Sequence, residues 1–352
     1  MSDPLVSVVI PAFNTGRFLP ETLESVFAQS YPNLEIIVID DGSTDDTRAV
    51  ARGYGERIVL LERPHAGLGP TRSAGIERAA GEFLLFLDSD DILEPDAVRT
   101  QVDVALRHPG SGLVVGDGIE FDGPVVISAS LFHPVFADLV ATAPTGEVTG
   151  WMYRSVVQAC PAKTPGQTLV PRKVADAIGA LCITPEGAQD YDYYLRIARR
   201  FPVTLHSQRV ARWRFRSDSM SGAVDERQLR WSANAVRVYE RELTGCPAED
   251  RDLVRAMITL QARVGFVHAC AALATSGTAP EAASLAVVAP HLSWHERFVV
   301  KLLAALPTSC ARPVLRGTRA MLHVTRPVTR RVTGPVRSRP STPSGPGAPA
   351  RD

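Results

Sequence analysis

Cysteine is scarce and shows no paired spacing: Cys160, Cys182, Cys246, Cys270 and Cys310 include no Cys-x-x-Cys. That excludes a zinc knuckle and a disulfide framework and fits a reducing compartment. Charge of one sign is also lacking, with 38 Lys and Arg against 38 Asp and Glu. No overall field favours nucleic acid, and nucleic acid is not expected as a partner. No apolar run reaches the roughly 20 residues of a membrane-spanning helix. The longest late stretch, Phe298 to Leu306, is broken by Lys301. The opening MSDPLVSVVIPAFN has no basic stretch ahead of a long apolar core, so a cytoplasmic protein without a signal peptide is expected. There is no Gly-x-x-x-x-Gly-Lys-Ser/Thr loop, and Gly67-Leu68-Gly69-Pro70 lacks the third glycine of a dinucleotide fingerprint. P-loop kinases and NAD dehydrogenases are thereby set aside.

What is present is a chain of 352 residues, 45% apolar, enough for a sizeable core. Apolar, β-branched runs at Leu5–Ile10, Leu34–Ile39, Arg57–Leu61 and Phe83–Leu87 read as buried strands, with a fifth at Leu113–Val115. Helical spacing fills the gaps, at Leu19–Gln29, Thr44–Tyr54 and Thr71–Ala80, and Pro95 is placed to open another helix. This alternation predicts an α/β domain with a mostly parallel central sheet. Residues 116–171 look irregular, a helix resumes at Gln189–Arg200, and strands follow at Val203–His206 and Val210–Phe215. A mainly helical C-terminal region is expected over 223–330, and a disordered Pro/Ser/Arg-rich tail over 331–352.

Ligands of such sheets bind beyond the carboxyl ends of the strands. Two acidic clusters fall there, Asp40-Asp41-Gly42-Ser43 and Asp88-Ser89-Asp90-Asp91, so they should face one crevice. Three carboxylates in the second cluster repel one another unless a cation joins them, and oxygen ligands suit Mg²⁺ or Mn²⁺. A carboxylate in the first can accept hydrogen bonds from a base imide or a ribose hydroxyl. Each cluster taken alone is equally readable as a capped, solvated loop before a helix. His291 and His295, four apart, could share a helix face, but with no Glu after the first and no third ligand nearby a metal site is not expected there.

Four stretches together carry more information: VSVVIPAFN at 6–14, ESVFAQSYPNLEIIVIDDGSTDDT at 24–47, TRSAGIERAAGEFLLFLDSDD at 71–91 and QDYDYYLRIA at 189–198. In this order they resemble the inverting glycosyltransferases of family 2, which have the GT-A fold; the likeness is nearly continuous over the first hundred residues and looser to about 221. The resemblance implies a GT-A domain over 1–222 and a nucleotide-sugar donor, with a UDP-sugar expected. It implies a divalent metal, Mn²⁺ or Mg²⁺, and a glycan or lipid-linked saccharide as acceptor. Pro11, Phe13, Asn14 and Asp41 match donor positions, with Asp40 in support. Asp88 and Asp90 match the metal and diphosphate motif, with Asp91 assisting, and Arg72 and Arg216 stand where family arginines approach the diphosphate. Ser73 replaces the familiar Asn after that arginine.

In the same likeness Asp190 is the general base, taking a proton from the acceptor hydroxyl as it attacks the anomeric carbon. Gln189 stands where Glu is usual; it cannot act as a base, and Asp192 is the fallback. Two alternatives stay open. One is a degenerate, non-catalytic nucleotide-binding or scaffold protein, suggested by Gln189 and Ser73. The other is a nucleotidylyltransferase, although PAFNTGRF lacks the Gly-rich basic loop expected there. The stretch Trp294–Leu306 with the eight arginines of Arg312–Arg339 allows peripheral contact with an anionic membrane face, with ordinary helix packing as the competing reading.

Overall fold

The apolar runs of the N-terminal part form strands covered on both faces. The computed structural model describes residues 3–181, 188–216, 225–275 and 282–297. The chain begins β1 (Val6–Ala12), α1 (Leu19–Phe27), β2 (Leu34–Asp40), α2 (Thr47–Gly53), β3 (Val59–Glu62), α3 (Leu68–Arg78) and β4 (Phe83–Phe86). It continues with β5 (Ile92–Leu93), α4 (Ala97–Arg107), β6 (Leu113–Asp122), β7 (Val125–Ser128), α5 (Pro134–Ala141), β8 (Glu147–Gly150) and α6 (Tyr153–Gln158). Then come β9 (Thr168–Pro171), α7 (Arg172–Ile178), α8 (Gln189–Arg200) and β10 (Val203–Arg214). The helices α9 (Asp225–Gly245), α10 (Arg251–Thr275) and α11 (Ala282–Val288) follow.

The sheet order is β3-β2-β1-β4-β9-β6-β10-β5, with β7 on β6 and β8 on β10. Parallel pairing dominates: β3, β2, β1 and β4 run together, as do β6 and β10. Antiparallel β9 joins the two parallel sets by pairing with both β4 and β6. Every residue of β1 is buried, as a strand with helices on both faces requires. Pro11 is tolerated in this central strand for a geometric reason. Val9 O accepts from Leu87 N and Ala12 O accepts from Asp41 N, so odd positions face β4 and even ones face β2. The nitrogen of Pro11 therefore points to the side where β4 has ended, and no ladder bond is lost. On the outer layer, Gly75 lets α3 lie directly on the sheet, because a Cβ there would stand 2.2 Å from Val9 Cγ1.

Residues 116–171 hold more order than the sequence pattern suggested: the tail of β6, then β7, α5, β8, α6 and β9. Most of these elements are four to eight residues long, too short to display a period. The two strands expected after α8 are one, β10, whose register against β6 shifts between His206 and Arg209 and again between Arg209 and Ala211. Such bulges hide a continuous strand from a reading by alternation. The α3 helix begins at Leu68, three residues before the expected start, after Gly67 at φ 88°. In the C-terminal region α9 buries Leu229, Ala233 and Val236 completely, in one core cluster with Leu195 and Ile197 of α8. The tail over 331–352 and the segment beyond residue 297 lie outside the described residues.

Candidate active site

Strand register builds the site. Ala12 is level with Asp40, and Val9 with Phe86, so the chain leaves β1, β2 and β4 at the same end of the sheet. Pro11 and Phe13, Asp41, and Asp88 with Asp90 consequently border one cleft of about 230 Å³, which Trp213, Arg214 and Arg216 at the end of β10 also line. Two clusters some fifty residues apart in sequence meet there, as expected for ligand sites of open α/β sheets.

On the β2 side, the Asp41 carboxylate accepts from Ala66 N and Gly67 N, both at 2.9 Å, and lies 2.9 Å from His65 Nδ1. Gly42 makes this closure possible: its φ is +76°, and a Cβ there would stand 2.7 Å from His65 N. The ring of His65 stacks on Phe13, centroids 4.2 Å apart and planes inclined by 24°. Phe13 is 42% exposed, a large apolar face left open to the cleft. Asp40 and Asn14 do not border the cleft. Asp40 is fully buried, taking Ser43 N at 3.2 Å and Arg48 Nε at 2.8 Å. Asn14, at φ 53°, accepts from Thr44 N at 2.8 Å and so fastens the β1 turn to the β2 turn.

The second acidic cluster divides in function. Asp88 and Asp90 face the cleft, whereas Asp91 is buried, accepting from Thr164 Oγ1 at 2.5 Å and from Arg214 N at 2.9 Å. Asp91 is thus a tie between this turn, the loop before β9 and the end of β10, not a third cleft carboxylate. Arg216 Nη1 donates to Asp90 Oδ2 at 2.9 Å, and Arg214 Nε donates to the Asp90 carbonyl at 2.8 Å. Burial first, and then the charge of Asp88, push the Asp90 carboxyl up to about 6 against the pull of Arg216.

Arg72 joins this cluster to the helix that follows 180 in the chain. Its side chain is 1% exposed. One branch of the guanidinium donates to Asp88 Oδ1 at 2.5 Å, and the other is ion-paired with Asp190. Asp190 lies in the first turn of α8 with 32% of its side chain exposed. Burial raises its carboxyl pKa and Asp88 raises it further, while Arg72 opposes both. Gln189 is buried beside it. Asp192 points elsewhere, held by Arg196 Nε and Arg241 Nη1, each at 2.9 Å. A carboxylate clamped between two guanidiniums on the far side of the helix is poorly placed to serve as a base at the cleft.

A divalent cation can be tested against the donor set. Among the described residues no group of three or more His, Cys, Asp or Glu side chains is disposed to hold a metal. Mg²⁺ and Mn²⁺ need fewer, being held through one or two carboxylates with phosphate oxygens and water completing the shell. Asp88 and Asp90 fit that pattern: both border the cleft, and the charge of Asp88 raises the Asp90 pKa, a repulsion that a bound cation would offset. His291 is engaged with Glu240 at 2.9 Å, and His295 lies against Trp294.

His65, Leu68, Trp213 and Arg214 also line the cleft, although none was marked as a site residue from sequence. Arg214 stands two residues before Arg216, so alternation along a strand points to it, whereas Trp213 has the opposite parity and no such signal. His65 had no sequence signal; only the return of the loop after β3 to Asp41 brings it in.

The fold and the acidic cleft at its strand ends define a GT-A domain. The family model described as Glycosyl transferase family 2 matches residues 7–132. An uncharacterized glycosyltransferase of Rickettsia typhi is 34% identical over 246 residues, spanning 68% of this chain and 74% of that one. The chain belongs to glycosyl transferase family 2. It spans between 34% and 40% of the length of four other curated rickettsial relatives that it matches. Among solved structures, residues 1–349 of S. aureus TarS in complex with UDP superpose with a TM-score of 0.56 at 16% identity, over 93% of this chain and 90% of that one. The mannosyltransferase PcManGT from Pyrobaculum calidifontis, in complex with GDP-Man and Mn²⁺, gives 0.56 at 18% identity over 89% and 87%. At these identities the likeness is one of fold. Family membership sets the nucleotidylyltransferase alternative aside.

Proposed function

We propose that the chain is an inverting glycosyltransferase that moves a sugar from a UDP-sugar to a hydroxyl of a glycan or lipid-linked saccharide. The observation that carries this reading is Arg72: one buried guanidinium ties the cleft carboxylate Asp88 to Asp190. Asp190 lies outside the cleft lining, and its link through Arg72 to Asp88 supports reading it as the general base for a single displacement. The nucleoside occupies the side bordered by Phe13, Asp41 and His65, where an exposed aromatic face and backbone-braced polar groups await a base.

In the reaction the acceptor O–H gives its proton to Asp190, and the oxygen attacks the anomeric carbon. The bond from that carbon to the diphosphate breaks, and its electron pair leaves with the nucleoside diphosphate. The raised pKa of Asp190, caused first by burial, makes its carboxylate a better proton acceptor. A divalent cation, when bound, would be held by Asp88 and Asp90 and would neutralise charge on the leaving diphosphate. Arg216 adds a fixed guanidinium on the same side through its pair with Asp90. No helix among the described residues is long and apolar enough to cross a membrane. Work at the cytoplasmic membrane face on a lipid-linked acceptor is the setting that this reading favours.

The test is Asp190→Asn, which removes the base while keeping its shape. Release of UDP from a hydrolysed or transferred UDP-sugar should fall by about a hundredfold or more. Mn²⁺-dependent UDP binding, measured by calorimetry, should persist. Retained turnover would rule out Asp190 as the base, and folded wild-type protein that shows no metal-dependent UDP binding would remove the donor assignment.

A further inference from the structure

The first turn of α8 has little to fix it from its own end. Its N-cap position is Ala188, which offers no side chain to the free amides, yet this turn carries Asp190. The turn is fixed from outside by Arg72 of α3, by the end of α7 through Arg196, and by α9 in the helical region that follows. Tyr191 and Tyr239 share a hydroxyl contact of 2.6 Å. One hydroxyl donates to the other, which leaves one hydrogen for α6, where Val156 O lies 2.8 Å from the Tyr191 hydroxyl and Val157 O lies 2.7 Å from that of Tyr239. Arg241 Nη1 donates to Asp192 at 2.9 Å. At the other end of α8, Arg199 donates to Glu242 at 3.1 Å, and Glu242 also accepts from Tyr153 at 2.8 Å. Tyr239, Arg241 and Glu242 thus grip the residues on either side of Asp190 and the helix end behind it.

We propose that Arg241 is a positioning residue for Asp190, acting through Asp192 to set the rotation and depth of the first turn of α8. The inference rests on Asp190 being the base. Asp192 is 4% exposed, so its carboxylate needs charged partners, and it has two. Arg196 belongs to α8 and also donates to the Ile178 and Ala180 carbonyls, so it refers the turn to the end of α7. Arg241 is the partner that refers it to α9. Without Arg241 the turn loses that charged tie and rests on the Arg196 link on this side, and the approach of Asp190 to Arg72 loosens. A displacement of about 1 Å at a reacting group costs on the order of a hundredfold in rate. The donor side is built on β1, β2 and β4 and does not pass through this contact. The C-terminal helices are therefore part of the machinery of transfer, not an appendage to it.

The experiment uses the full chain with Arg241→Met, which keeps the stem of a side chain already part-exposed, and with Arg241→Lys as the conservative variant. Hydrogen–deuterium exchange is followed in the peptide covering 188–195. Turnover is read with whichever UDP- or GDP-sugar the wild type hydrolyses fastest, and UDP affinity in Mn²⁺ is read separately. The expected result for Arg241→Met is faster exchange in that peptide and a kcat lower by about tenfold or more, with UDP affinity and the exchange of β1 and β4 unchanged. Arg241→Lys should recover part of the rate. Asp192→Asn, which also loses the Arg196 pair, should cost at least as much as Arg241→Met, and the double variant should be no worse than Asp192→Asn, because both remove the Asp192–Arg241 contact. Unchanged exchange, or faster exchange with full turnover, overturns the proposal. So does a loss of rate matched by a loss of UDP affinity. Asp190→Asn assayed alongside separates the two readings. If it is inactive while Arg241→Met is normal, only the positioning role fails; if it is active, the general-base assignment fails first.

Discussion

Arg72→Met isolates the residue on which the site is built. The thioether side chain roughly fills the space of the arginine stem, so no large cavity opens, and the change is chiefly one of charge. Removing one partner of a buried ion pair costs about 3–5 kcal/mol. Asp88 and Asp190 each keep about a third of their side-chain surface in contact with solvent, at 30% and 32%. Screening therefore places the cost near the lower figure, about 3 kcal/mol. At an unfolding entropy of about 2.1 cal/mol/K per residue, a chain of 352 residues shifts by roughly 1.4 °C per kcal/mol, so the melting temperature should fall by about 4 °C.

The sign of the pH dependence follows from Asp190. Its carboxyl pKa is already raised by burial and by Asp88, and Arg72 is the opposing influence. Without Arg72 it rises further. A folded-state pKa above the unfolded value penalises the ionised form, and that penalty is absent in acid and complete at high pH. The variant should accordingly lose more stability at pH 8 than at pH 5. Thermal melts of both proteins at the two pH values, followed by circular dichroism without metal, provide the check. Equal losses at pH 5 and pH 8, or a loss below about 2 °C at pH 8, would falsify the electrostatic account of this cluster.

Asp90→Asn should separate stability from binding. With its carboxyl pushed from 3.8 to about 6, ionised Asp90 costs the metal-free protein at most about 3 kcal/mol above that pH and nothing near pH 4. The variant should melt higher than wild type at pH 8, equally at pH 4, and lose Mn²⁺-dependent UDP binding; a lower melting point at pH 8 contradicts the assignment. Gly75→Ala tests the packing of α3 on the sheet. Its Cβ would stand 2.2 Å from Val9 Cγ1 and 3.1 Å from Ile39 Cδ1, both in side chains with no exposed surface. Alanine gains up to about 1 kcal/mol in helix propensity, but overpacking costs about 1–3 kcal/mol, so a net loss is expected in denaturant melts. Neutral or improved stability would mean that α3 can lift off the sheet without penalty.

The sequence alone was sufficient for the parts of this protein governed by local pattern. Fully apolar strands flanked by helices can be buried only in a covered, largely parallel sheet, and that rule converts Asp41 and Asp88 into neighbours without any coordinates. It could not sort the carboxylates within a cluster. Asp88, Asp90 and Asp91 are consecutive acidic choices in the chain, yet two face the cleft and one is buried against Thr164 and Arg214. Asp40 and Asp41 likewise turn to opposite sides of the end of β2. Which side an adjacent residue faces is set by pleat and turn geometry, together with partners more than seventy positions away in the case of Asp91. The link from Arg72 to Asp190, 118 residues on, and the grip of α9 on α8 were beyond sequence for the same reason. Side-chain charge and helical period are written in the chain; the pairing of one buried charge with another arises only when separate elements pack and exclude the water between them.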